Sequence, residues 1–302
     1  MKYILIIFKK FEFFLSNFFK FETILGSVLR LFRHDLLAKK KSDRSNNNEY
    51  KFVEKTLNNI SIFKGYAVDL GASDGLNYSC TYPLFLKGWN GLCVELDDYK
   101  FLKLTFLYRY FKNVKLQKVK ITPKNIKEIF ISADVKKEFE FLNLDIDSYD
   151  LEVIEEILKS DFRPALISME INEKMPPEIF FCVKYDKNHF WQGDHFYGCS
   201  LAAANEVLSK YDYSLVSLEW DNAFFILNKF VSKFNIKKET VLNAYDKGYR
   251  NRIGRKERYY YNSNLDKWLY MSTDEALSDI NKYFMNYNGK YILRKSKSSF
   301  AN

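Results

Sequence analysis

Val68-Asp69-Leu70-Gly71-Ala72-Ser73-Asp74-Gly75 follows a short apolar run and precedes a helical pattern over residues 77–87. A strand that ends in Asp-x-Gly turns tightly with no side chain in the way. Its backbone can then approach a ligand closely at the carboxyl edge of a sheet. The next apolar run, GLCVEL (91–96), ends in Glu95. An acid at that strand tip can accept both hydroxyls of a ribose. A bend beside the ligand, with an acid one strand over, is a geometry that grips a nucleoside. The bland alternative is a plain strand–helix turn.

Outward from this stretch the pattern alternates. Apolar runs at 65–71, 91–96, 114–121, 139–147 and 163–172 read as strands. Helical spacing fills 98–111, 123–133, 148–160 and 199–211. Residues 213–220 and 222–228 are two strands with almost nothing between them, hence an antiparallel pair. Strands alternating with helices and closed by a hairpin predict an α/β fold: a Rossmann-like, doubly wound, seven-stranded, mostly parallel sheet with an antiparallel last strand. The predicted organisation is a helical extension and linker over 1–49, the sheet domain over 50–230, and a basic, Tyr-rich, helical extension over 231–302. In the last, 273–292 reads as one helix with Thr273 as N-cap and Glu275 in its first turn, and the KSKSS tail as frayed.

The glycine spacing bears on the nucleoside. A dinucleotide fingerprint needs G-x-G-x-x-G with a pyrophosphate at the helix N-terminus. Here the spacing is Gly71-x-x-x-Gly75, flanked by Asp69 and Asp74. Carboxylates repel phosphate but suit the ammonium of S-adenosylmethionine, so the stretch favours that compound over a nicotinamide dinucleotide. The candidate binding residues are Asp69, Gly71, Ser73, Asp74, Gly75 and Glu95, with Asp145 from a later strand.

That later strand ends in Asp145-Ile146-Asp147-Ser148-Tyr149-Asp150. Carboxylates at i and i+2 of a strand share a face, and like charges so close raise one pKa unless a cation lies between them. One aspartate can serve as general base toward a hydroxyl, and the other can help hold Mg²⁺. The alternative is that Asp147 and Asp150 cap the next helix. Glu170 and Asn172 share a face after the fifth strand and complete a candidate metal set with Asp145; asparagine is the weaker ligand. Asp194 and His195 precede the 199–211 helix, where Ser200 or Cys199 is a candidate cap. His195 is an alternative base, and Trp191 a surface on which a sugar ring can stack.

The stretch V-D-L-G-A-S-D-G, with Y-S-C-T-Y-P-L-F-L-x-G-W-N-G-L-C-V-E-L after it, resembles the first half of FkbM-like class I methyltransferases. L-D-I-D-S-Y-D-L-E-V-I, R-P-A-L-I-S-M-E-I-N, H-F-Y-G-C-S-L and N-A-F-F-I continue the resemblance in order, so that it spans about residues 62–230. It implies that Asp69 and Gly71 hold the methionine part of S-adenosylmethionine and Glu95 its ribose. The D-x-D-x-Y spacing is also similar to macrocin-type sugar O-methyltransferases, which implies Asp145 as metal ligand and Asp147 as base. The implied activity is O-methylation of a sugar or glycolipid of a surface polysaccharide. MPPE (175–178) follows the fifth strand, not the fourth, and so does not match the [D/N]-P-P-Y of nucleic-acid amino-methyltransferases. Two rival readings are a nicotinamide-dependent oxidoreductase, which the glycine spacing disfavours, and a non-catalytic membrane-peripheral scaffold.

Composition sets the outer bounds. The 302 residues are 47% hydrophobic, enough for a core and against wholesale disorder. The formal charge of +9 is uneven. Residues 1–44 carry 10 bases and 4 acids, and residues 233–302 carry 15 and 7, while 45–232 carry 22 and 27. An acidic centre argues against a nucleic-acid channel; basic flanks fit an anionic surface such as a membrane. Residues 3–33 place Phe and Leu at helical spacing opposite lysines, predicting an amphipathic helix that lies on a membrane or packs on the protein. No 20-residue apolar run or signal-peptide pattern is visible. Four cysteines without a CxxC pair fit a reduced, cytoplasmic compartment, on the inner face of the membrane if the helix binds there.

Overall fold

The computed structural model describes residues 31–38, 45 and 49–297. Residues 31–38 are helical; the rest of the helix expected over 3–33, most of the linker that follows it up to residue 49, and residues 298–302 lie outside the described residues. A seven-stranded sheet carries the fold. Its strands are β1 (Tyr66–Leu70), β2 (Asn90–Glu95), β3 (Val114–Lys118), β4 (Glu138–Leu144), β5 (Arg163–Glu170), β7 (Tyr213–Glu219) and β8 (Asn222–Leu227), with β6 (Ile179–Val183) outside it. The order is β3-β2-β1-β4-β5-β8-β7. β8 enters antiparallel between β5 and β7, and the other neighbouring pairs in β3-β2-β1-β4-β5 are parallel. This is the doubly wound sheet with an antiparallel last strand that the alternation predicts.

The central strands are apolar on both faces because helices cover both. In β1, Val68 and Leu70 enter one core with α4 (Ile126–Ser132), α5 (Asp150–Lys159) and α6 (Leu201–Leu208). Ala67 enters the other, with α1 (Glu49–Asn59), α2 (Tyr82–Leu86) and α3 (Asp98–Tyr108). β3 is an edge, and its VKLQK sequence is accordingly half-exposed and lysine-flecked. Local chemistry sets the helix starts: Asp97 caps α3 by accepting from the Lys100 N–H at 2.8 Å, and Ser200 caps α6 by accepting from Ala203 N–H at 3.1 Å. No helix of the described residues is long and apolar enough to cross a membrane.

Three expectations change. The helix expected over 77–87 is only Tyr82–Leu86. The Asp74 carboxylate takes the N–H groups of Leu76 and Asn77, and Tyr78 sits at φ +64°, so the chain cannot coil earlier. The helix expected over 273–292 ends at Tyr283. It is α10 in a series whose intervening members are α7 (Asn228–Phe234), α8 (Val241–Tyr245) and α9 (Arg255–Arg258). Its cap is Ser272, in a reciprocal capping box with Glu275. Beyond it, β9 (Tyr291–Lys295) pairs antiparallel with β6 in a second, two-stranded sheet. These elements enclose a third core in which Phe181, Phe196 and Met175 meet Trp268, Ile280 and Phe284.

Candidate active site

A cleft of about 860 Å³ opens at the carboxyl ends of β1, β2, β3 and β4, within the range of about 300–1,000 Å³ usual for small-molecule sites. It lies where the strand order reverses between β1 and β4, the place at which open α/β sheets bind ligands.

Gly71 makes the floor. Its N–H and that of Ala72 both reach the Val94 carbonyl at 3.0 Å, and Asp145 N–H reaches the Leu70 carbonyl at 3.0 Å. The backbone of Asp145 therefore crosses directly over Gly71, where a Cβ would lie 1.7 Å from the Asp145 carbonyl oxygen. Asp69, buried beneath, accepts from Thr81 Oγ1 at 2.5 Å and Asn143 Nδ2 at 3.0 Å. Burial pushes its pKa up, while Thr81 and Asn143 pull it down. Glu95 is fixed by backbone donors. One carboxylate oxygen accepts from Ser73 N–H at 2.8 Å, the other from Leu96 at 2.8 Å and Asp97 at 2.7 Å. The oxygen that accepts from Ser73 keeps acceptor capacity for a hydroxyl.

Opposite stand Asp145 and Asp147, with Glu170 at the end of β5. One carboxylate oxygen from each lies within 4.8 Å of the others. Burial first, then repulsion among the acids, raises the pKa of Asp145 and of Glu170. Burial also raises Asp147, with Lys100 and Lys174 opposing. Asp147 holds φ +52° and Ser73 φ +50°. Non-glycine residues in that region cost about 1–3 kcal/mol and cluster where geometry serves function. Asp150 is the helix-side residue: buried, it accepts from Ile146 N–H at 2.9 Å and Ser148 N–H at 3.0 Å, and burial pushes its pKa up to about 6. Asp150 thus ties down the turn before the helix and does not cap it, since the N-cap Tyr149 makes no side-chain cap bond; Asp147 stands on the cleft wall.

Asp69, Gly71, Ser73, Glu95, Asp145 and Asp147 share the cleft; four other predicted residues do not fill their expected places. Asp74 does not line it. Its carboxylate is spent on Leu76 and Asn77 N–H, on Asn77 Nδ2 at 2.7 Å and on His34 at 3.7 Å. Gly75 does not line it either, but backs onto α3, where a Cβ would meet Leu104 at 2.5 Å. Asn172 is not in the carboxylate group: it is buried, and its Nδ2 donates to the carbonyls of His195 and Tyr197, both at 3.0 Å. Asp147 takes its place beside Asp145 and Glu170. His195 points elsewhere, its ring 6.3 Å from that of Tyr283. The histidine on the cleft is His189, with Phe190 and Trp191.

The sequence reading missed Asn143, Lys120, His189 and Phe190. The signal for Asn143 was present: Asn143, Asp145 and Asp147 recur at a period of two. It also missed a buried pair beyond β5. Glu173 and Lys174 are bonded at 3.1 Å, Tyr197 OH donates to Glu173 at 2.8 Å, and Asn262 Nδ2 donates to Glu173 at 2.6 Å. Asn262 lies in the C-terminal segment, which therefore anchors the loop that follows Glu170 of β5. In all, Asp69, Glu95, Asp97, Asp98, Asp145 and Asp147 face Lys100 and Lys120 around the cleft, an environment that attracts a cation and repels phosphate.

No protein-family model matches the sequence, and no curated protein matches it. Among solved structures, the chain is similar to a candidate O-methyltransferase from Klebsiella pneumoniae, at 13% identity over 67% of this chain and 90% of that one, TM-score 0.41. It is similar to an S-adenosylmethionine-dependent methyltransferase from Clostridium acetobutylicum, at 12% identity over 65% and 96%, TM-score 0.39. A third is the N-terminal domain of EvdMO1 in the presence of S-adenosylhomocysteine and D-fucose, at 10% identity over 64% and 93%, TM-score 0.39. The fold assignment above rests on the strand order of this chain itself.

Proposed function

We propose that this chain transfers a methyl group from S-adenosylmethionine to a hydroxyl, and that the acceptor is a sugar or glycolipid of a surface polysaccharide. The observation that carries the reading is the acid-rimmed cleft at the sheet's switch point, with Gly71 as its bend and Glu95 at the β2 tip. The ribose hydroxyls donate to Glu95. The cationic end of the donor lies toward Asp69 and Asp145. The acceptor oxygen is held in line behind the methyl, beside Asp147. The S–CH₃ bond breaks with its electron pair left on sulfur, the O–CH₃ bond forms, and the hydroxyl proton passes to Asp147. The donor is activated by its own charge, so most of the rate comes from positioning and proton removal.

Three hard carboxylates so close suit a divalent cation such as Mg²⁺. Asp145 and Glu170 would hold it, with Asp147 beside them left to take the proton, and it would lower the pKa of a hydroxyl. The resemblance to FkbM-like enzymes over 62–230 supports the sugar acceptor. Residues 3–33 would keep the enzyme on the inner face of the membrane near a lipid-linked acceptor, with the remainder in the cytoplasm. Flotation with liposomes tests this: equal flotation with and without residues 1–35 refutes it.

Calorimetry tests the central claim. S-adenosylmethionine and S-adenosylhomocysteine bind, NAD does not, and Glu95→Ala loses the first two. Absence of heat with both sulfur compounds, or binding of NAD alone, refutes it.

A further inference from the structure

We propose that Phe190 stacks on the purine of the donor, and that Lys120 and the C-terminal segment hold it there. The inference rests on the proposed function. Along the sheet rim β3, β2, β1 and β4 follow one another, so Val119–Ile121, Glu95, Gly71 and Asp145 stand in that order. Val119 N–H bonds the Glu95 carbonyl at 3.2 Å, placing residue 120 beside the ribose clasp. A nucleoside with its ribose on Glu95 and its sulfur toward Asp145 has its base on the far side, over residues 119–121. Phe190 is there. Lys120 Nζ sits 4.1 Å from the Phe190 ring centroid, and it donates to the carbonyls of Lys187 at 2.7 Å and His189 at 3.2 Å.

The ring is 57% exposed and lines the cleft. A large aromatic held at fixed orientation yet open to solvent is a surface for a flat partner. The arm bearing it, Asp186–Asp194, is fastened at both ends to the C-terminal segment. Lys290 faces Asp186 at 3.7 Å, and Tyr287 OH bonds the Asp194 carboxylate. Tyr287 also stacks on Phe196 with centroids 3.8 Å apart. Within the arm, Trp191 Nε1 donates to the Asp194 carbonyl at 2.7 Å. The basic, Tyr-rich C-terminal segment thus braces a wall of the cleft.

The test is calorimetry of the full chain with S-adenosylhomocysteine and, separately, adenosine. Phe190→Ala weakens both roughly tenfold, the scale of one base–aromatic stack, while Phe190→Tyr stays within about twofold of the parent. Lys120→Met loosens the arm, read as faster hydrogen exchange over 186–194 with a weaker grip on both probes. Lys120→Arg, which keeps a cation over the ring, restores both. If the parent binds S-adenosylhomocysteine and Phe190→Ala binds it equally well, the stacking role is overturned and the proposed function stands. If the parent binds neither probe, both fall.

Discussion

Gly71 is the position at which one methyl group decides whether the site exists. Its φ is +91°, and a Cβ would lie 1.7 Å from the Asp145 carbonyl oxygen, which belongs to backbone and cannot swing aside. Strain and overpacking combine, so Gly71→Ala should destabilise by on the order of 4 kcal/mol, seen as a lower urea midpoint. At Asp147 the prediction concerns protons. A general base works ionised, and burial raises the Asp147 pKa above its ordinary 3.8. The acid limb of the rate profile therefore moves to higher pH than a free aspartate would give. Asp147→Asn should cut kcat by roughly 10²–10⁴, measured as S-adenosylhomocysteine release. Asp145 gives the matching stability test. Its folded-state pKa is raised, so the native state binds the proton more tightly than the unfolded chain does. Between the unfolded and folded pKa values stability falls as pH rises. Asparagine cannot ionise. The Tm of Asp145→Asn relative to the parent should climb from pH 5 to pH 8; a pH-independent difference would refute the assignment.

Elements divide by whether their partners are near in sequence. β1, β2 and β5 are buried along most of their length, so each is a largely apolar run that can be read by itself, and β4, EFEFLNL, shows itself by alternation before its apolar end. The hairpin β7–β8 is equally local. Asp69, Gly71, Glu95 and Asp145, at or just past those strand tips, were legible for the same reason, since a strand's end and its period fix where a side chain points; Asp147, three residues past β4 at φ +52°, reaches the cleft through its turn. β6 was not legible. Its apolar IFFCV pairs with β9 more than a hundred residues later, and no local pattern announces a two-stranded ribbon. His195 and Asp74 failed differently: a loop residue's direction depends on Tyr283 or on its own turn's N–H groups, which spacing does not encode. The shared third core carries a prediction. Ile280 of α10 is fully buried with Phe181 of β6, so Ile280→Ala should cost about 3 kcal/mol and speed hydrogen exchange at Ile179–Val183. Unchanged exchange there would mean that the C-terminal segment folds independently of the sheet domain.

Across the whole molecule the uneven charge acquires a structural meaning. Three bases of the C-terminal segment face acids of the sheet domain: Arg252 meets Glu219 at 3.0 Å, Arg294 meets Glu206 at 2.8 Å, and Lys290 meets Asp186 at 3.7 Å. The basic segment thus neutralises part of the acidic domain, while the cleft keeps its own cluster of carboxylates. Such a cleft should distinguish the donor from its product by charge. S-adenosylmethionine carries a sulfonium and S-adenosylhomocysteine a neutral thioether, with the same base, ribose and amino-acid end. Burial and backbone donors bind them alike; only the sulfonium gains from the field of the ionised carboxylates of the cleft. That field is partly open to solvent and therefore screened by salt, with a Debye length of about 10 Å at 0.1 M. Raising sodium chloride from 50 to 500 mM should weaken S-adenosylmethionine roughly threefold more than S-adenosylhomocysteine, measured by calorimetry on the same protein. Parallel loss of both affinities would mean that the carboxylates do not sense the sulfur, and that the charge of the cleft serves the acceptor instead.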